Sequence, residues 1–307
     1  NATSHDAMTM VIITLEAFAG MWINAFIVSV LCIAWVKRKS FNSNEKILLF
    51  LGCCRFGDLC TMWVYKFVSI FYPCYFYVHP LPQLFSAILS FLNASNVWVS
   101  ASLCVFYCIK IANFRHTFFI YLKAKVDRIV LLLLLGSVVL SLLISTFAYS
   151  SVDRAIFKTL NSMTQSNVWN LSVRMNEQLL TFFLISCFIL STAFTAVFFS
   201  ALLLLISFWR HKRKMQTNSV NTFSMDAHIR AIKSILSFFV IYSINITGSI
   251  LSLMYVSEKE ILMTFLILVS QCALSVAHSL ILIFSNPKLK KILLRTLSCL
   301  KCKACTR

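Results

Sequence analysis

The 307-residue chain is 59% hydrophobic and only 12% charged, with a mean hydropathy of +0.83. A soluble domain covers its surface with about a quarter of its residues charged, so this composition excludes a water-facing globule. The net charge of +18 is dispersed as short basic clusters between apolar runs, a pattern of membrane topology and not of one nucleic-acid-binding face.

Crossing hydrocarbon takes roughly 20 apolar helical residues. Continuous apolar runs, in place of the alternation of a lipid-facing barrel, make helices the spanning form. In chain order, seven spans are predicted at about 8–36, 46–72, 82–110, 127–149, 180–208, 231–255 and 261–284. The first lacks a basic leader and is too long for a signal core, so it reads as a retained span. After Asn286-Pro287 the apolar residues Leu289, Ile292, Leu293 and Leu297 recur at helical spacing among lysines and arginines, predicting a short cytoplasmic amphipathic helix on the inner membrane surface. The fold class is therefore an all-α membrane protein, a seven-helix bundle over 1–285 followed by an amphipathic helix and basic tail over 286–307. No internal repeat supports an inverted-repeat transporter.

Lys37, Arg38, Lys39 and Lys46 follow the first span; Lys110, Arg115, Lys123, Lys125 and Arg128 follow the third. Arg210, Lys212, Arg213, Lys214, Arg230 and Lys233 follow the fifth, and Lys288, Lys290, Lys291, Arg295, Lys301, Lys303 and Arg307 follow the last. The opposite side holds few basic residues, so the N-terminus is expected outside, the C-terminus inside, and the chain multi-pass in the plasma membrane. The longest external connection is expected over 150–179, where Asn170-Leu171-Ser172 offers a glycosylation site. Asn1-Ala2-Thr3 is a second accessible sequon, whereas Asn93-Ala94-Ser95 and Asn245-Ile246-Thr247 fall within spans.

No metalloprotease signature, phosphate-binding glycine loop or nucleophile elbow is present, and five glycines with ten acids leave little material for one. The chain is read as a non-enzyme without metal or cofactor. Most of the twelve cysteines fall in spans as small packing residues; Cys299, Cys302 and Cys305 suit palmitoylation beside a basic segment better than zinc, with unmodified thiols as the alternative. The polar residues inside the spans are more informative, because burying them is costly. Glu16, Asn24, Arg55, Asp58, Asn93, Asn96, Asn245, Gln271 and His278 are expected to face the bundle interior. Glu16, Asn24, Arg55 and His278 read as a structural polar core. Arg55 and Asp58, three apart on one helical face, can partly offset each other's burial. The alternative is a small transporter or channel with a polar path through Glu16, Arg55 and Asp58. In the third span, Phe85, Leu89, Asn93 and Asn96 form a rough stripe that fits a mainly apolar ligand held by a few directed hydrogen bonds, or an ordinary packing face.

Glu16, Gly20, Asn24, Phe26-Ile27 and Trp35-Val36-Lys37, then Arg55, then Trp98, Leu103, Phe106-Tyr107, Lys110-Ile111-Ala112, Phe114 and Leu122-Lys123 occur in order. They continue with Leu202 to Leu205, His211, Met215, Ala227-His228-Ile229, Ala231, Ser237-Phe238, Tyr242, His278-Ser279, Leu282-Ile283, Asn286 and Leu289-Lys290. This series resembles the bitter taste receptor family of seven-helix G-protein-coupled receptors. The resemblance implies a small-molecule agonist entering from outside, among the third, fifth, sixth and seventh spans. Phe85, Leu89, Asn93, Asn96, Asn245, Leu268 and Gln271 are the ligand candidates. It also implies a gustducin-like or other Gi-type heterotrimeric G protein at an inner groove near Tyr107, Lys110, His211, Lys214, His228, Lys233 and Lys290, whose basic rim also suits membrane lipids. The absence of cysteine between Ser150 and Leu180 agrees with the family's lack of a disulfide from the third span to the second external loop. Leu89 stands where many members have a pocket tryptophan, and Asn245 where a tyrosine is common. The fifth span lacks the usual proline, and Asp58 is an unusual charge beside Arg55.

Overall fold

The computed structural model describes residues 4–76, 78–112, 116–162, 168–217, 229, 232–233, 235–244, 247–248 and 261–305. Every regular element among them is helical: α1 (Ser4–Arg38), α2 (Ser43–Phe71), α3 (Pro73–Phe76), α4 (Leu81–Ile111), α5 (Thr117–Ala124), α6 (Val126–Ser162), α7 (Val168–Thr217), α8 (Ile235–Ile244), α9 (Ile261–Ser285) and α10 (Pro287–Cys305). Five of them, α1, α2, α4, α6 and α7, contain apolar stretches long enough to cross a bilayer; α9 and α10, bent by 100° to each other, are long and apolar enough only when taken as a pair. The protein is a multi-pass membrane protein.

Its surface confirms the solvent. Val11, Leu15, Phe18 and Trp22 form an exposed stripe along α1, and Leu131, Leu132, Leu135, Val139 and Leu142 form another along α6. Contiguous apolar faces of this size would aggregate in water but are at ease in lipid. The polar residues take the opposite place: Asn24, Arg55, Ser100, His278 and Ser279 are buried.

The middle of the bundle is α4, which packs against α2, α6 and α7. Its two faces serve two cores. Val99, Leu103 and Phe106 join Ile27 and Leu31 of α1, Ile47, Leu48 and Leu51 of α2, Leu282 and Ile283 of α9 and Leu289 of α10. Val97, Ala101, Cys104 and Cys108 join Ala193, Val197 and Leu204 of α7 and Ile235, Phe238 and Tyr242 of α8. The two sets are offset by two residues, about 200° around a helix, so a helix apolar on all sides has to sit in the centre. Close approach of α1 to α2 and α9 depends on Gly20, where a Cβ would stand 2.5 Å from the Leu59 side chain and 3.0 Å from that of Val276.

The stretch 150–179, expected as the longest external connection, is helical where described: α6 continues to Ser162 and α7 begins at Val168. At 1.5 Å per residue, helices of 37 and 50 residues exceed the roughly 30 Å hydrocarbon layer, so both run beyond their apolar windows. The stretch is rich in Ser and Asn, but no Gly or Pro occurs between Ser137 and Thr247, so α6 beyond Ser137 and all of α7 are free of helix-breaking residues.

Candidate functional site

The buried polar residues meet where α1, α2, α4 and α9 converge. The Asn24 amide donates to the Gly20 carbonyl at 2.8 Å, which fixes its side chain with Oδ1 turned to α9. There the Ser279 hydroxyl, 3.0 Å from both Asn24 Oδ1 and the Ser275 carbonyl, has one proton for the two acceptors. It also accepts from Arg55 Nη1 at 3.1 Å. Arg55 Nη2 reaches Ser100 Oγ at 3.4 Å and contacts His278 Nδ1. A guanidinium only donates, so His278 accepts at Nδ1 and carries its proton on Nε2. The expected core residues Asn24, Arg55 and His278 thus come together, and sequence reasoning missed Ser100 and Ser279, which connect them. Ser279 directly follows His278, but a serine in a span is too common a packing residue to have signalled this.

Glu16 stands apart, its buried Oε2 without a protein partner. The expected offset between Arg55 and Asp58 is also absent as a direct contact: among the described residues no ion pair joins them. Arg55 turns to α9, whereas Asp58 Oδ2 accepts from Asn96 of α4 at 3.4 Å. Residues three apart on a helix share a broad face but can address different neighbours on it.

Of the ligand candidates, Phe85 is half-buried in an aromatic group, edge-on to Tyr65 at 5.7 Å and beside Phe76 at 6.3 Å. Leu89 is half-buried and Asn93 exposed. Asn93 lies one turn before Val97 on the α7/α8-facing side of α4, just past the last layer of that core. Leu268 and Gln271 belong to α9, but their side chains lie outside the described residues, as does Asn245 altogether.

At the other end, Tyr107 packs against both cores and its ring lies 5.8 Å from that of Phe106. Lys110 is exposed, its ammonium 5.3 Å from the Phe106 ring centre. Lys233 and Lys290 are exposed. His211 and Lys214 lie on α7, and Asn170 near its start, with side chains outside the described residues; His228 is outside them entirely. Cys299, Cys302 and Cys305 lie on α10, their side chains likewise outside. The same end carries a clamp that the sequence did not reveal. Glu45 of α2 accepts from Arg38 at 2.6 Å and from Lys288 of α10 at 2.8 Å, while Ser43 donates to Asp127 of α6. Among the described residues no three His, Cys, Asp or Glu side chains gather as a metal cage.

Comparison with known proteins places these features. The family described as "Taste receptor protein (TAS2R)" matches residues 2–301. Taste receptor type 2 member 10 of Papio hamadryas is 32% identical over 97% of this chain and 95% of its own length. Taste receptor type 2 member 9 of Homo sapiens is 29% identical over 97% and 95%. Taste receptor type 2 member 104 of Rattus norvegicus is 28% identical over 97% of each chain. A match of this extent covers both cores, the buried Arg55 cluster and most of α10, and the chain belongs to the TAS2R taste receptor family, a family of chemosensory receptors and not of enzymes.

Proposed function

We propose that the protein is a bitter-taste-type G-protein-coupled receptor that takes small molecules from the extracellular side and activates a gustducin/Gi-type heterotrimeric G protein. The observation that carries the reading is the family match over residues 2–301. In this reading the chain crosses the plasma membrane seven times, as α1, α2, α4, α6, α7, the segment containing α8, and α9. The N-terminus is outside and the C-terminus inside, and α10 is a cytoplasmic helix along the inner surface. The clustering of lysine and arginine at the ends assigned to the cytoplasm supports the orientation. Asn170 then faces the glycosylating side.

The ligand site of this reading comprises Phe85, Leu89, Asn93, Asn96, Asn245, Leu268 and Gln271. Support comes from α4, where the α7/α8-facing core formed by the described residues reaches Val97 and Asn93 is exposed one turn further on. An amide beside Leu89 suits a ligand with an apolar body and one or two hydrogen-bonding groups. The coupling surface comprises Tyr107, Lys110, His211, Lys214, His228, Lys233 and Lys290, and Asn24, Arg55 and His278 hold the helices between the two ends. Agonist binding signals only if the ligand binds one arrangement of the bundle more tightly than the other. The test is nucleotide exchange on purified Gi-type protein by the purified receptor, screened against chemically varied small molecules. Agonist-dependent exchange is expected; specific binding with no exchange on any G protein would defeat the proposal.

A further inference from the structure

The last turn of α9 and the first turns of α10 enclose a groove of about 670 Å³, lined by Phe284 on α9 and by Lys290, Lys291, Leu294 and Arg295 on α10, with Pro287 and Ser298 at its ends. The α10 residues are spaced three and four apart, so they form one stripe along one helical face. The neighbouring face carries Leu289, Ile292 and Leu293 into the core. α10 is thus anchored by one face, and the cationic face is left to the groove.

The 100° bend between the two helices makes that groove the inside of an elbow. Phe284 is 53% exposed and Leu294 50% exposed, so the elbow opens away from the bundle. In the topology proposed above, on which this inference rests, one arm of the elbow crosses the membrane and the other lies along its surface, so the concave side faces lipid of the nearer leaflet. The groove offers that lipid an apolar wall at Phe284 and Leu294 and three cations, with no acidic residue in the lining. Lys288 is already engaged by Glu45 and faces elsewhere. Three cations within two turns exceed what one phosphodiester can satisfy, and arginine adds a planar pair of donors suited to a phosphate.

We propose that this elbow is a binding site for an anionic phospholipid whose headgroup bears more than one phosphate, its acyl chains running along Phe284 and its phosphates held by Lys290, Lys291 and Arg295. The site shares Lys290 with the coupling surface proposed above, and its lipid preference is read without agonist or G protein. It separates these cations from the diffuse attraction that any basic inner rim has for an acidic leaflet.

The experiment places the full-length receptor in phosphatidylcholine nanodiscs containing a trace of fluorescent phosphatidylinositol bisphosphate and reads energy transfer from the protein. Unlabelled phosphatidylinositol bisphosphate is expected to compete at least tenfold better than phosphatidylserine at matched total charge. The combined substitutions Lys290→Gln, Lys291→Gln and Arg295→Gln, all at exposed positions, are expected to abolish that preference. Lys123→Gln, Lys125→Gln and Arg128→Gln, which remove the same charge elsewhere on the basic rim, should leave it intact. Equal competition by phosphatidylserine would reduce the site to diffuse electrostatics and overturn the proposal. So would an unchanged preference in the elbow variant, or soluble inositol trisphosphate competing as well as the lipid, which would assign the groove to a free polyphosphate.

Discussion

Substituting Ser279 and Arg55, singly and together, measures how far the buried polar cluster holds the helices in place. Ser279 is fully buried and joins Asn24, 3.0 Å away, to Arg55 at 3.1 Å. Ser279→Ala removes a charge-assisted hydrogen bond and takes from Asn24 Oδ1 the donor in contact with it. A hydrogen bond to a charged group contributes about 1.5–3 kcal/mol and an orphaned buried acceptor costs about 1–3 kcal/mol. Helix-to-helix hydrogen bonds in bilayers fall toward the lower end, about 0.6–1.7 kcal/mol. A loss of about 2 kcal/mol is therefore expected for Ser279→Ala. Arg55→Met, which fills the space without the charge, should cost a similar amount, because Ser100, His278 and Ser279 each lose a partner while the hydrogen bond from Ser279 to Asn24 remains. The double variant should lose less than the sum by about 1–1.5 kcal/mol, since the Arg55 to Ser279 bond is lost once and not twice. Reversible unfolding in mixed micelles, followed by far-UV dichroism at graded denaturing detergent, gives all three values. A coupling under about 0.3 kcal/mol would show that Arg55 and Ser279 are neighbours without an energetic link, and the account of this cluster would fail.

Gly20→Val should destabilise the bundle by about 1–3 kcal/mol, because the new side chain would have to displace Leu59 and Val276 at the α1 crossing; Gly136→Ala, with open space around it, is the control in the same unfolding assay. Glu45→Gln should cost about 1 kcal/mol, a modest loss because Arg38 and Lys288 are 45% and 39% exposed and their pairing is screened. The loss should shrink in 0.5 M salt, and a salt-independent loss would assign it to packing. Asn170→Gln should abolish the glycosidase-sensitive mobility shift of receptor made in mammalian cells. A shift that persists in the variant but disappears with Asn1→Gln would move the glycan to the N-terminus and leave the orientation intact.

The membrane class and most of the helices were legible because they depend on composition summed over many residues. Long apolar runs and basic clusters survive an error of several positions. The extents of α6 and α7 were not legible, since Ser and Asn lower helix propensity only slightly, and a polar stretch without Gly or Pro reads as a loop although its helix continues. At the polar centre, sequence singled out Asn24, Arg55 and His278 because each is expensive in hydrocarbon. It could not show which neighbours repay the cost. Arg55 and Asp58 share a helical face and invited pairing, yet Arg55 is met by Ser279 and Ser100, 224 and 45 positions away. Such partners follow from helix rotation, to which hydropathy is blind. The clamp at Glu45 escaped for the same reason, as Lys288 is 243 positions distant.

The placement of α4 constrains any rearrangement of the bundle. One core ties it to α1, α2, α9 and α10, the other to α7 and α8. Among the described residues, the links that cross between these halves include Tyr107, packed against both cores, and the Phe238 ring of α8, 5.0 Å from that of His278 on α9. The hydrogen bond from Tyr242 to the Leu190 carbonyl at 2.9 Å and the Phe194 and Phe239 rings 4.8 Å apart bind α8 to α7, so these two move more readily together than apart. A shift of the pair slides along the Val97, Ala101, Cys104 and Cys108 face of α4, whose small side chains present few protrusions to such shear. Asn93 lies at one end of that face, and Tyr107 and Lys110 near the other. A ligand that displaced α7 and α8 at Asn93 would thus change the packing of Phe238 on His278 before anything moved at Tyr107, which makes the ring contact between α8 and α9 the earliest place to look for a response to agonist.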